Sequence, residues 1–181
     1  QWYLQSDKLN AELAWDYSRG YYADGSSPII GIVDSGINYN HPDLADNYIG
    51  GYDFNSEGGG DDPDPMDRTG HGTAVAGVIA GVANNGIGIA GGCPGCKLYV
   101  VKGAGLDGHM TEADGARGIV KSVNNRAIAV SVSWEWYCET CSLFGCDYTC
   151  YNIADAVRYA RDRGVIVVAA ADVEVIHPLA T

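Results

Sequence analysis

Two residues of this chain have the types and settings needed to move a proton in acyl chemistry. Asp34 ends the apolar run Pro28-Ile29-Ile30-Gly31-Ile32-Val33, and His71 stands between Gly70 and Gly72 where a second apolar segment begins. A carboxylate can orient an imidazole, and the imidazole so held can take a proton from a nucleophile as a general base. Taken singly, Asp34 reads as a turn or cap residue and His71 as a histidine satisfied in a core. Taken jointly, in these two contexts, they read as two members of a three-residue catalytic set.

The elements that must position them follow from periodicity. Ile29 to Val33 is a continuous, largely β-branched run stopped by Ser35 and Gly36, the pattern of a fully buried parallel strand with Asp34 at its carboxyl end. His71 to Val82 alternates small and apolar residues and predicts a buried helix whose glycines allow close packing. Further strands are expected over Tyr48 to Phe54, Leu98 to Val101, Ile128 to Trp134 and Val165 to Ala171. Helices are expected over Thr111 to Asn124, with Asp114 in the capping-box position, and over Ile153 to Arg163, ended by Gly164. Glu57 to Asp67 reads as a loop. Strands alternating with helices give an α/β fold, a doubly wound and mostly parallel sheet. Active groups then belong beyond the carboxyl ends of its strands.

Length and composition bound the function. The 181 residues fit one domain, with 46% hydrophobic residues and no linker-like tract or internal repeat. A net charge of −12 argues against nucleic acid or an anionic membrane as partner, and no apolar stretch approaches the roughly 20 residues that span a bilayer. A monomer is expected. The six cysteines, Cys93, Cys96, Cys138, Cys141, Cys146 and Cys150, favour local disulfides and an oxidising, secreted or extracellular setting. Two Cys-x-x-Cys spacings keep a zinc site open as the rival, and the pairing is not assignable from spacing. The chain starts at Gln1 rather than Met, so a processed or partial product is expected.

On Asp34-Ser35-Gly36, His41-Pro42-Asp43-Leu44, Gly70-His71-Gly72-Thr73 and Val167-Val168-Ala169-Ala170-Ala171, together with Gln1-Trp2-Tyr3-Leu4 and Ala14-Trp15, the chain resembles the amino-terminal part of a subtilisin-like serine protease, the subtilase family. The resemblance implies a single incomplete catalytic domain over residues 1–181, with the later strands lying beyond it. It implies peptide-bond hydrolysis in which Asp34 orients the imidazole and His71 is base and then acid. It also implies a structural calcium ion held by Asp43, Asn85 and the carbonyls of Ala83, Ile87 and Ile89; hard oxygen donors of this kind suit calcium. The plain alternative is an Asn-Gly turn at Asn85-Gly86. The acidic loop containing Asp61, Asp62, Asp64 and Asp67 reads as a solvated face before it reads as a second cation site. A polypeptide substrate or inhibitor would pair with an extended segment at Gly108, His109 and Met110. It would be flanked by a pocket wall at Ser133, Trp134 and Glu135.

The chain departs from the family at three places. Trp134 and Glu135 stand where subtilases usually carry Leu and Gly, which narrows or charges the pocket. Asp172 and Val173 replace the Gly-Asn whose asparagine donates to the oxyanion, and valine has no side-chain donor. No Gly-Thr-Ser nucleophile motif occurs in these residues, and Ser122, Ser131, Ser133 and Ser142 fall in helix, strand or cysteine-loop contexts. Three readings follow: an endopeptidase portion whose serine lies elsewhere, a non-catalytic binding protein on the same scaffold, or a zinc-stabilised interaction module.

Overall fold

A computed structural model of the chain describes residues 2–55, 61–134, 136, 140–142, 145–147 and 150–170. Five strands form one sheet: β1 (Ile29–Asp34), β2 (Tyr48–Asp53), β3 (Lys97–Lys102), β4 (Ala127–Val132) and β7 (Ile166–Ala169), in the order β2-β3-β1-β4-β7. All four pairings are parallel. A short antiparallel pair, β5 (Thr140–Ser142) and β6 (Gly145–Asp147), stands apart, and the sequence pattern does not anticipate it.

Strand alternation sorts the core into two layers. Ile32 and Val33, both fully buried, belong to opposite faces: Ile32 packs with Leu98, Val100, Ala76 and Ala80 beneath α2 (His71–Ala80), and Val33 packs with Val101, Ile119 and Val130 beneath α3 (Glu112–Asn124). Successive residues of a strand point to opposite faces, so Asp34 falls on the side of Ile32 and therefore of α2. The last residue of β1 is thus delivered to the helix that begins with His71. Because the sheet order takes the chain from β1 outward to β2 on one side and to β4 on the other, the carboxyl end of β1 is also the point where the winding reverses.

Helix boundaries differ from expectation for identifiable reasons. α4 (Tyr151–Arg161) starts two residues early because the Glu112 carboxylate of α3 accepts hydrogen bonds from the backbone N–H of Asn152 (2.6 Å) and Ile153 (3.2 Å). This is a cap supplied from another helix. α3 begins as expected on Thr111, whose hydroxyl accepts from the Asp114 N–H (3.1 Å) and donates to the Asp114 carboxylate (2.6 Å). The strand expected to reach Trp134 ends at Val132. α1 (Ala11–Tyr17) was not foreseen; Asn10 before it takes a left-handed conformation and gives no side-chain cap.

α2 departs from the expected buried helix in a way that bears on function. Gly72, Ala76, Gly77 and Ala80 are buried, yet Val78 is 49% exposed. A cavity of about 370 Å³ lies along that side, lined by His71, Ala74, Val75, Val78, Ile79, Ser131 and Ser133. Helices apolar all round belong inside a larger core.

The cysteines divide. Cys93 and Cys96 form a disulfide with Cα atoms 5.4 Å apart, which removes that Cys-x-x-Cys pair from any zinc site. Cys150 is also disulfide-bonded. Cys138 lies outside the described residues, as do the side chains of Cys141 and Cys146.

Candidate active site

The geometry at the carboxyl end of β1 is that of an oriented imidazole. His71 Nδ1 lies 2.6 Å from Asp34 Oδ1, and the same oxygen accepts the Ser35 backbone N–H at 2.7 Å. Asp34 is fully buried, whereas the His71 side chain is 52% exposed. With Nδ1 committed to the carboxylate, Nε2 is the nitrogen left to exchange protons. Burial pushes the Asp34 carboxyl above the ordinary carboxylate range, against the opposing hydrogen bonds and charge of His71 and Ser35. Its second oxygen, Oδ2, is buried and has no hydrogen-bond partner among the described residues.

Close approach of strand and helix depends on Gly72. A Cβ there would stand 2.2 Å from the Gly36 carbonyl oxygen and 3.0 Å from Asp34 Oδ1, so any larger residue would drive α2 away from β1. Ser35 completes the junction: its hydroxyl accepts from the Gly72 N–H at 2.9 Å and bonds Asp67 Oδ1 at 3.1 Å.

Asp67, read from sequence as part of a solvated acidic loop, is a structural anchor instead. Its carboxylate receives the N–H groups of Thr69, Gly70 and Thr73, each at 2.9 Å, and the hydroxyls of Thr69 and Thr73. Burial works to raise its pKa, but the hydrogen bonds from Thr73, Gly70 and Thr69 together outweigh it and hold the group at about 2. The available signal was an aspartate a few residues ahead of a helix start, as in an N-cap. Asp61 is taken by an ion pair with Arg117, Asp62 accepts the Asp64 N–H, and Asp64 accepts from the Met66 N–H and the Tyr39 hydroxyl. Among the described residues no three His, Cys, Asp or Glu side chains are grouped to hold a metal ion.

The expected substrate-facing residues are only partly assembled. Ser133 shares the cavity with His71, and the Trp134 ring meets the imidazole edge-on at 5.7 Å between centroids and 86° between planes. Glu135 lies outside the described residues, as do Asp172 and Val173. Residues 106–108 form a turn: Gly108 has φ of +71° and donates to the Gly105 carbonyl, and the Gly105 N–H donates to the His109 carbonyl. Met110, 1% exposed with its side chain in the core, makes an antiparallel bridge with Ala104.

The loop expected to hold calcium closes on Asp43, which is 2% exposed. Asn85 Nδ2 donates to Asp43 Oδ1 (2.7 Å) and the Ile89 N–H to Oδ2 (2.8 Å), while Asn85 Oδ1 accepts from the Ile87 N–H (3.0 Å). A Cβ at Gly88 would fall 2.2 Å from Asp43 Oδ2, so only glycine lets the loop come this near. The carbonyls of Ala83, Ile87 and Ile89 receive no hydrogen bond among the described residues. Carbonyl oxygens without donors beside a buried carboxylate are the chemistry of a hard-cation site. The carbonyls and Asp43 suit such an ion; Asn85 would offer oxygen to it only by turning its amide and giving up its bonds to Asp43 and Ile87.

Comparison with known proteins agrees with this geometry. Residues 25–172 match the Subtilase family. The chain is 36% identical over 160 residues to the thermophilic serine proteinase of a Bacillus species, strain AK1, covering 88% of this chain and 35% of that one. It is 37% identical over 164 residues to thermitase of Thermoactinomyces vulgaris, covering 91% and 52%, and 39% identical over 142 residues to human furin, covering 74% and 17%. A solved structure of a protease from Pseudoalteromonas arctica superposes with a TM-score of 0.77 at 28% identity, covering 94% of this chain and 56% of that one. The chain therefore spans about half or less of the length of each of these relatives.

Proposed function

As the chain belongs to the subtilase family, we propose that Asp34 and His71 are two members of a serine-endopeptidase triad that acts on polypeptides. The observation that carries this reading is the 2.6 Å contact between His71 Nδ1 and a fully buried carboxylate, with the rest of the imidazole open beside an apolar cavity. Asp34 fixes the proton on Nδ1 and stabilises the imidazolium. His71 Nε2 takes the proton of a serine hydroxyl as it attacks the scissile carbonyl, then returns it to the leaving amine. The serine is supplied from outside these residues, and the segment bearing it covers the exposed side of α2. The paired cysteines favour secretion, and the acidic surface leaves nucleic acid out as a partner. No helix among the described residues is long and apolar enough to cross a membrane.

The test is a chimaera in which residues 1–170 are followed by the carboxy-terminal part of thermitase. A fluorophosphonate probe should label the chimaera, and labelling should vanish in His71→Ala; the 181-residue chain alone should remain unlabelled. A folded chimaera that never labels would favour the non-catalytic binding reading instead.

Calcium is the second element of the proposal. Asp43, Asn85 and the carbonyls of Ala83, Ile87 and Ile89 would hold the ion, whose chemistry is structural: it ties the loop after α2 to the loop after β1. Calcium at a hundred times its dissociation constant should stabilise the chain by about 2.7 kcal/mol, seen as a higher melting temperature that EDTA reverses. Asp43→Asn should abolish the response. Stabilisation by zinc in place of calcium would point back to the cysteines.

A further inference from the structure

We propose that Asp67 is a positioning residue for the His71–Asp34 pair, holding the start of α2 against the end of β1 so that imidazole and carboxylate meet in hydrogen-bonding register. The catalytic meaning of that pair rests on the endopeptidase reading, whereas the experiment that tests the role of Asp67 reads the pair itself. Three facts carry the assignment. Asp67 Oδ2 accepts both the N–H (2.9 Å) and the hydroxyl (2.6 Å) of Thr73, two residues past His71 in the first turn of α2. Its Oδ1 accepts the N–H groups of Thr69 and Gly70 just before His71, and also bonds the hydroxyl of Ser35, the neighbour of Asp34. Ser35 in turn accepts the N–H of Gly72, and the Thr73 hydroxyl accepts the N–H of Asn38, so both catalytic residues are bracketed by one hydrogen-bonded ring of groups.

Local capping explains part of this arrangement. Gly70, at the N-cap position of α2, has no side chain, and Asp67 takes the orphan N–H of Thr73 in its place. Capping does not account for the bond to Ser35, which reaches 32 positions back along the chain to the end of β1. That bond makes the carboxylate a tie between elements. A carboxylate suits the post because it only accepts, and every neighbour offers a donor. An amide of the same shape would turn an N–H toward one set of donors and break either the Thr73 arm or the Ser35 and Gly70 arm.

The experiment is nuclear magnetic resonance of the histidine-labelled 181-residue chain, following the deshielded Nδ1 proton of His71. Asp67→Asn should weaken or abolish the Nδ1–H signal. Ser35→Ala, which removes the other end of the tie and changes no charge, should also diminish it, by a smaller amount. Asp114→Asn, which removes a cap on α3, should leave the signal unchanged and controls for a general loss of stability. A folded Asp67→Asn chain with an unaltered Nδ1–H signal would overturn the proposal. If Asp67→Asn does not fold, an unaltered signal in Ser35→Ala overturns it equally. Failure of the thermitase chimaera to hydrolyse peptides would leave these signals untouched, so the two readings fail separately.

Discussion

Asp34→Ala, introduced into the chimaera with the carboxy-terminal part of thermitase, should lower kcat by about 3 × 10⁴-fold with little change in KM, a magnitude taken from the corresponding aspartate of subtilisin, a member of the same family. The geometry of this chain adds a ranking of variants. Asp34 Oδ1 accepts from two donors, the Ser35 N–H and His71 Nδ1, while Oδ2 is buried without a partner among the described residues. In Asp34→Asn the amide oxygen must stay at the Oδ1 position, because an NH₂ there would face the Ser35 N–H. The histidine then keeps its proton on Nδ1 and its acceptor on Nε2. The loss comes from the missing charge and from a buried amide N–H with no acceptor, not from an inverted tautomer. Asp34→Asn should accordingly retain more activity than Asp34→Ala, and steady-state kinetics of the two variants decides the point. Equal losses would mean that the asparagine has turned and that the Ser35 contact does not govern its orientation.

Acid acts on the two aspartates with opposite sign. Burial, opposed by His71 and Ser35, raises the folded-state pKa of Asp34 above the usual value, so the ionised form costs stability above that pKa and the cost disappears as pH falls through it. Asp67 behaves oppositely. Its pKa, held at about 2 against an ordinary 3.8, contributes stability that is complete above the ordinary value and lost as pH falls toward 2. On acidification the pair therefore loses its charge before the anchor does. The acid limb of activity should reflect protonation within the pair while α2 is still tethered.

Sequence made the pair legible because both residues sit at the ends of runs whose local pattern fixes their elements. A β-branched run with no polar residue has few alternatives to a buried strand, and period two then assigns Asp34 to the side of α2. What escaped the sequence was set by groups far apart in the chain. Asp67 looked like one more acid in a loop rich in aspartate, since nothing nearby announces that Ser35 will meet it. The start of α4 moved because Glu112 supplies its cap from another helix. α1 was missed because it is seven residues long, opens on a left-handed Asn10 and leaves Leu13 51% exposed, so it has little amphipathic signature. The segment at Gly108, His109 and Met110, expected to run extended on family likeness, begins on a left-handed Gly108 and reaches an antiparallel bridge between Met110 and Ala104. Met110 faces inward, a placement that a single apolar residue after a turn cannot reveal.

The carboxyl end of the sheet beside the pair also holds a buried ion pair. Lys102 is the register partner of Asp34 on β3, and Asp53 is its partner on β2, so three charged residues end three adjacent strands. Lys102 and Asp53 are 4% and 3% exposed, with Nζ 2.9 Å from Oδ2. Burial raises the Asp53 pKa even though the hydrogen bond and charge of Lys102 work to lower it. Withdrawing the lysine leaves that carboxylate buried without a counter-charge, with the Asn55 N–H (2.7 Å) still donating to it. Lys102→Met should thus destabilise the chain by about 3–5 kcal/mol, read from the urea midpoint at neutral pH. Against a total of about 5–15 kcal/mol for a domain, this is enough to leave part of the population unfolded. Adding Asp53→Asn to Lys102→Met removes the stranded charge and should recover most of the loss, because the penalty belongs to the unpaired ion and not to the missing attraction. A double variant as unstable as Lys102→Met alone would mean that the lysine acts through the packing of its stem. The charge at the end of β3 would then have no part in holding β2 against β3, the neighbour of the strand that carries Asp34.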